Sequence, residues 1–161
     1  MDQTIWLQSV NYPDRFFYSS ISESCELLPG GEEATSTYLV TPGLSSTVSG
    51  VSLRHLYRPT HYITHVNAVI KMVDHAAGDE ALAVDATWTI GEGLMTDESG
   101  DTVSFFHSNG QIMRHAGFVL RLNSLDGSNP DGTDSSALLR NDASWNVQIH
   151  SESFKLSSIL P

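Results

Sequence analysis

The chain is poor in charge, and the charge it has is mostly of one sign. Of its 161 residues 17% are charged, 19 acidic against 8 basic, for a net charge of −11. A surface this acidic repels phosphate backbones and anionic lipid headgroups, and no basic stripe offsets it, so neither nucleic acid nor a membrane surface is expected as a partner. Cysteine occurs once, as Cys25, which excludes an intramolecular disulfide and predicts a small buried hydrophobe. No apolar run approaches the ~18 residues of a membrane span. The start, Met1-Asp2-Gln3-Thr4-Ile5, has neither a basic nor an apolar leader region and reads as lacking a signal peptide. Also missing are a Gly-x-Ser-x-Gly elbow, a phosphate-binding glycine loop and a zinc signature. His61 and His65 would stand about 13 Å apart on an extended strand, too far for one ion. The segment Asp126 to Ala137 matches a calcium loop only in composition, because Ala137 occupies the twelfth position. No cofactor and no metal are expected.

What the chain does contain is apolar residues at 40% together with abundant Ser, Thr, Gly and Asn, enough for one core and a bias toward strands and turns. An internal repeat of about fifty residues organises it. Val51-Ser52-Leu53 answers Val103-Ser104-Phe105, and Tyr62-Ile63-Thr64-His65 answers Ile112-Met113-Arg114-His115. Val69-Ile70-Lys71-Met72 answers Val119-Leu120-Arg121-Leu122, and Asp85-Ala86-Thr87-Trp88 answers Asp142-Ala143-Ser144-Trp145. A weaker copy precedes them, with Ser19 at the histidine position and Thr35 at the aspartate position. Each copy alternates short apolar-polar segments with turn residues, the pattern of half-buried strands. About four strands per copy, twelve in all and almost no helix, can close into a barrel without free edges. This predicts an all-β fold of three pseudo-symmetric repeats in one domain over 1–161, with repeats at about 4–48, 49–99 and 100–155. Trp6, Trp88 and Trp145 are expected in the core, and the 126–136 stretch as a long hairpin loop.

The segment Leu7-Gln8-Ser9-Val10-Asn11-Tyr12-Pro13-Asp14-Arg15-Phe16, with Met113-Arg114-His115, Asp85-Ala86-Thr87-Trp88 and Pro42-Gly43-Leu44, resembles the arabinofuranose-binding domain of α-L-arabinofuranosidases, the AbfB domain or carbohydrate-binding module family 42. The resemblance runs from about Ile5 to about His150. It implies a β-trefoil with up to three shallow pockets that bind arabinofuranose side chains of arabinoxylan or arabinan without hydrolysing them. It further implies that each pocket rests on the histidine after the arginine and on the aspartate of Asp-Ala-Thr. Carried over, these are His65 with Asp85 and His115 with Asp142, while Ser19 and Thr35 leave the first repeat without a comparable pocket. Thr64 stands where the family has arginine.

The residue chemistry agrees with such a role. An ionised carboxylate accepts two hydroxyl donors in charge-assisted bonds, and a neutral imidazole offers one donor and one acceptor. Tyr57, Tyr62 and Phe118 are candidate apolar flanks for a sugar ring. The expected protein is therefore a non-enzymatic, monomeric binding module, extracellular if cut from a secreted hydrolase and otherwise cytoplasmic. A trefoil turned to protein–protein interaction is the alternative. The aspartates could also act only as turn caps.

Overall fold

The computed structural model describes residues 3–20, 24–31, 33–75, 78–95, 101–126 and 137–149. Among these it has twelve strands and three short helices. The first repeat holds β1 (Gln3–Ser9), β2 (Arg15–Tyr18), β3 (Glu26–Pro29), α1 (Glu33–Ser36) and β4 (Tyr38–Pro42). The second holds β5 (Val51–His55), β6 (His61–Val66), β7 (Val69–Asp74), α2 (Glu80–Asp85) and β8 (Trp88–Glu92). The third holds β9 (Thr102–His107), β10 (Ile112–Ala116), β11 (Val119–Asn123), α3 (Ala137–Asp142) and β12 (Trp145–Ile149).

The first and fourth strands of each repeat form a closed antiparallel ring, β1-β4-β5-β8-β9-β12 and back to β1. Among the described residues the ring closes on itself, so none of its six strands is left as a sheet edge. The second and third strands form three hairpins, β2-β3, β6-β7 and β10-β11. These meet through β11-β3, β11-β7 and a Ser24–Lys71 bridge. A six-stranded barrel capped by a triangle of hairpins is a β-trefoil, the fold that the family resemblance implies and that fits the all-β threefold repeat.

The core repeats with the sequence. Leu7, Leu53 and Phe105 are fully buried at one level, and so are Phe17, Ile63 and Met113 at a second. Tyr38, Trp88 and Trp145 fill a third, also without exposure. At the hairpin triangle Cys25 joins Ile70 and Leu120: the Cys25 N–H donates to the Ile70 carbonyl, and the Leu120 N–H donates to that of Cys25. Burial pushes the Cys25 thiol far above its ordinary range, so it behaves as a hydrophobe.

Three expectations change on contact with the structure. Trp6 is only half-buried. In β1 the residues Ile5, Leu7 and Ser9 face inward, so strand alternation turns Trp6 outward. There it packs edge-on against Phe16 at 5.5 Å and donates its indole N–H to Thr37 Oγ1. The chain also places one short helix before the fourth strand of every repeat, too short for a helical hydrophobic period to show. Finally, the aspartates of the Asp-Ala-Thr/Ser-Trp segments end helices α2 and α3; they do not sit in a plain turn. The loop expected at 126–136 lies almost wholly outside the described residues.

Gly50 joins β4 to β5 at a φ of +158°, and a Cβ there would stand 2.4 Å from the Trp88 carbonyl oxygen. Backbone, not a yielding side chain, occupies that space. Gly50→Ala is expected to destabilise the fold by about 2 kcal/mol or more, read as a lower midpoint in denaturant unfolding.

Candidate functional site

The Asp-Ala-Thr/Ser-Trp segments are held by one device used twice. In the second repeat the buried Ser52 hydroxyl donates to the Ala86 carbonyl at 2.7 Å and accepts the Leu44 N–H at 3.0 Å. In the third, Ser104 donates to Ala143 at 2.7 Å and accepts Leu94 N–H at 3.2 Å. Thr87 and Ser144 close the preceding helices by donating to Ala83 and Arg140 carbonyls at 2.8 Å, and accept the N–H groups of Ser45 and Met95. Trp88 and Trp145 anchor the segment in the core. The aspartate before them is thus fixed at a helix end that offers no dipole support to a carboxylate.

Around Asp85 two imidazoles converge, and they come from different repeats. His65 Nε2 of β6 lies 3.4 Å from Asp85 Oδ1, and His107 Nε2 of β9 lies 3.5 Å from the same oxygen. The two rings meet edge-to-face at 4.6 Å. The Asp85 side chain is 38% exposed, whereas that of His107 is 4% exposed. Neither ring nitrogen of His65, nor Nε2 of His107, has a hydrogen-bond partner among the described residues. Such buried polar atoms are costly unless something satisfies them. The three donor atoms lie within 4.8 Å of one another and could surround a metal ion. However, His107 Nδ1 accepts the Asn109 N–H at 3.4 Å, which leaves the proton on Nε2. A ligating histidine instead keeps its proton on the outer nitrogen and donates it. The set suits a hydroxyl better than an ion.

The third-repeat site is fuller. Arg114 donates to Asp142 Oδ2 at 2.7 Å, and Asn11 Nδ2 donates to Oδ1 at 2.7 Å. His115 Nε2 lies 3.0 Å from Asn11 Oδ1 and 3.3 Å from Asp142 Oδ1. Tyr12, Phe118 and His115 form an aromatic wall, with Tyr12–Phe118 at 5.0 Å and Tyr12–His115 at 5.5 Å. Tyr12 is 38% exposed and Arg15 covers Phe118 at 3.9 Å. In the first repeat the Tyr38 hydroxyl, standing where the other repeats have tryptophan, donates to Ser19 Oγ at 2.8 Å. Ser19 is buried.

Of the residues singled out in the sequence, His65 meets Asp85, and His115 meets Asp142 and Phe118. Tyr57 is exposed and lies 6.5 Å from His55, and Tyr62 packs edge-on against His75 at 6.0 Å. Neither ring is among the described contacts of the His65–Asp85 pair. His107, Asn11 and Tyr12 did not stand out in the sequence because each belongs to the repeat following the histidine–aspartate pair it contacts. The signal was present: Ser9, His55 and His107 occupy one position in the three copies.

The sequence profile of the Alpha-L-arabinofuranosidase B (ABFB) domain matches residues 5–147. Comparison with curated protein sequences gave no match. Among solved structures, an arabinofuranosidase complexed with arabinofuranosyl-alpha-1,2-xylobiose superposes with a TM-score of 0.76 at 18% identity, over 91% of this chain and 31% of that one. The chain thus spans about a third of the arabinofuranosidase chain it matches. The BEL β-trefoil aligns at a TM-score of 0.62 and 8% identity, over 91% of this chain and 92% of that one. SeviL bound to asialo-GM1 saccharide aligns at 0.59 and 8%, over 92% and 98%. At these identities the likenesses concern the fold.

Both site histidines are held neutral. Burial is the main cause of the lowered His65 value; Asp85 opposes it and His107 adds to it. Burial likewise lowers His115 to about 4, with Asp142 opposing and Arg114 assisting. The unfolded chain therefore takes up a proton at His115 first, near the ordinary value of about 6.5. Its contribution to stability is intact above that pH and is lost as pH falls toward about 4, for a total of about 3 kcal/mol. The ring signals of His115 in NMR should titrate near 4, and stability should fall less steeply over this range in His115→Gln. A ring that titrates near 6.5 in the folded protein would contradict this.

Proposed function

The chain belongs to the Alpha-L-arabinofuranosidase B (ABFB) domain family, and from that premise we propose that it is a single-domain, non-catalytic carbohydrate-binding module for arabinofuranose side chains of arabinoxylan or arabinan. The observation that carries this reading is the second-repeat site. A half-exposed carboxylate at a helix end is flanked by the Nε2 atoms of His65 and His107 at 3.4 and 3.5 Å, which make no well-formed hydrogen bond among the described residues. Sugar hydroxyls supply the donors and acceptors that these atoms lack. The third-repeat site adds aromatic faces in Tyr12 and Phe118 for the C–H side of a furanose ring. Support for the ligand class comes from the arabinofuranosidase relative, itself seen with an arabinofuranosyl-xylobiose. Hydrolysis by that enzyme is not carried over.

The two aspartates should differ under mutation. Asp85 is half-exposed and without a guanidinium partner among the described residues, so Asp85→Ala should leave the melting temperature nearly unchanged. Sugar affinity at its site should fall by about 10- to 100-fold, from loss of hydrogen bonds to a charged acceptor. Asp142 is buried against Arg114, and Asp142→Ala leaves a buried cation alone, at a cost of about 3–5 kcal/mol. Calorimetric titration with arabinofuranosyl-xylobiose, alongside thermal melts, measures both. No binding by the wild-type chain would overturn the proposal and favour a protein-binding trefoil.

A further inference from the structure

Compared position by position, the two pockets differ by a complementary pair of exchanges. The third-repeat site has Arg114 on its own hairpin and Ser9 from the neighbouring repeat, and Arg114 pins Asp142. The second-repeat site has Thr64 and His107 at those positions. Thr64 is fully buried with its hydroxyl unpartnered, so no cation reaches Asp85 from that side. The group that faces Asp85 is His107, delivered by the third repeat.

How His107 gets there is set by the sheet. It pairs with Trp88 across β8 and β9, and its ring sits 5.8 Å from the indole. The register therefore aims it at the carboxylate three residues before that tryptophan. The Asn109 N–H fixes which nitrogen carries the proton. The same two-residue contact recurs at the equivalent His55, whose Nδ1 accepts the Tyr57 N–H at 3.2 Å. His107 thus presents Nε2–H as an obligate donor, almost wholly buried, 3.5 Å from an obligate acceptor.

We infer that His107 is a ligand-contacting and specificity-determining residue of the second-repeat site, so that this site is shared between two repeats and reads a single neutral hydroxyl group. One hydroxyl oxygen seated beside both atoms can donate to Asp85 and accept from His107 at once. Neither an ether oxygen nor a carboxylate does both. With Thr64 where the other pocket has the Arg114 guanidinium, the site also has no permanent positive charge to offer an acidic sugar. The inference rests on the sugar-binding reading above and adds a residue from outside the histidine–aspartate pair of the second repeat.

Two measurements test it. In the free protein, long-range nitrogen–proton correlation spectra should show His107 as the Nε2–H tautomer. Protonation of Nδ1 instead would overturn the proposal whether or not sugar binds. The second is a titration with arabinofuranosyl-xylobiose followed at the amides of Ala86 and Ala143, one beside each site. His107→Phe, which keeps ring volume and removes the donor, should weaken binding at Ala86 by about 3- to 10-fold and leave Ala143 unchanged. His107→Gln, which restores a side-chain N–H, should recover much of the loss. Glucuronic acid should shift Ala86 far less than the neutral sugar does. If His107→Phe melts normally and binds at Ala86 as wild type does, the inference fails and the sugar-binding reading stands. If wild type shows no sugar-dependent shift at either amide, both fail together.

Discussion

Two buried hydroxyls, Ser52 in β5 and Ser104 in β9, each tie a barrel strand to the carbonyl that follows a site aspartate. The same hydroxyls accept an N–H from the glycine-bounded loop before the strand. A serine of this kind, donating and accepting at once, cannot be replaced by an apolar residue without stranding a buried carbonyl and a partly buried N–H. Everything distinctive about the pockets hangs on this arrangement. It fixes the end of the short helix, the helix end fixes the aspartate, and the tryptophan three residues on fixes the strand that brings the neighbouring repeat's residue to the same place. The first repeat has Trp6 at the serine position and lacks the device. Its fourth strand opens instead with Tyr38, whose hydroxyl satisfies Ser19 internally.

Three copies of one supersecondary unit have in this way reached three electrostatic solutions. The first is a closed polar contact inside the core. The third is a buried ion pair, Arg114–Asp142, joined by Asn11 and sheltered by aromatic rings. The second keeps its carboxylate half-exposed, with two imidazoles beside it and no guanidinium among the described residues. A buried, fully partnered carboxylate contributes rigidity but has little left to give a ligand. A half-exposed one, ringed by unsatisfied donors, is the better receptor and the poorer strut.

Much of the fold could be read from residue pattern. The ordered recurrence of Val-Ser-Leu/Phe, of the histidine and of Asp-Ala-Thr/Ser-Trp marks equivalent points on the barrel and its hairpins, and strand alternation is clear in β1, β4 and β7, which bury one face each, whereas β9 and β10 are buried on both. What pattern could not show were features that depend on partners across the threefold axis. The helices α1 to α3 span at most six residues, shorter than two turns, so no amphipathic period announces them. Trp6 reads as core by composition and faces outward by parity. For the site, each histidine–aspartate pair was legible because both members lie in one repeat. His107, Asn11 and Tyr12 were not, since each contacts the histidine–aspartate pair of the copy before it. Tyr57 and Tyr62 drew notice as aromatic residues close in sequence to His65, but Tyr62 lies an odd number of residues from His65 on β6, which turns the two side chains to opposite faces.

The strong negative charge of the chain fits this division of labour. At −11 the surface repels anions at long range, while beside Asp85 burial favours the neutral form of His65 and His107 Nδ1 accepts the Asn109 N–H. Discrimination there must come from direction, a donor and an acceptor set a fixed distance apart. Charge attraction would favour cations, yet the nitrogen facing the carboxylate from His107 already bears its proton. A neutral hydroxylated ligand is what remains when both constraints are applied, and it is the chemistry that the family's sugar-binding architecture would bring to the same place.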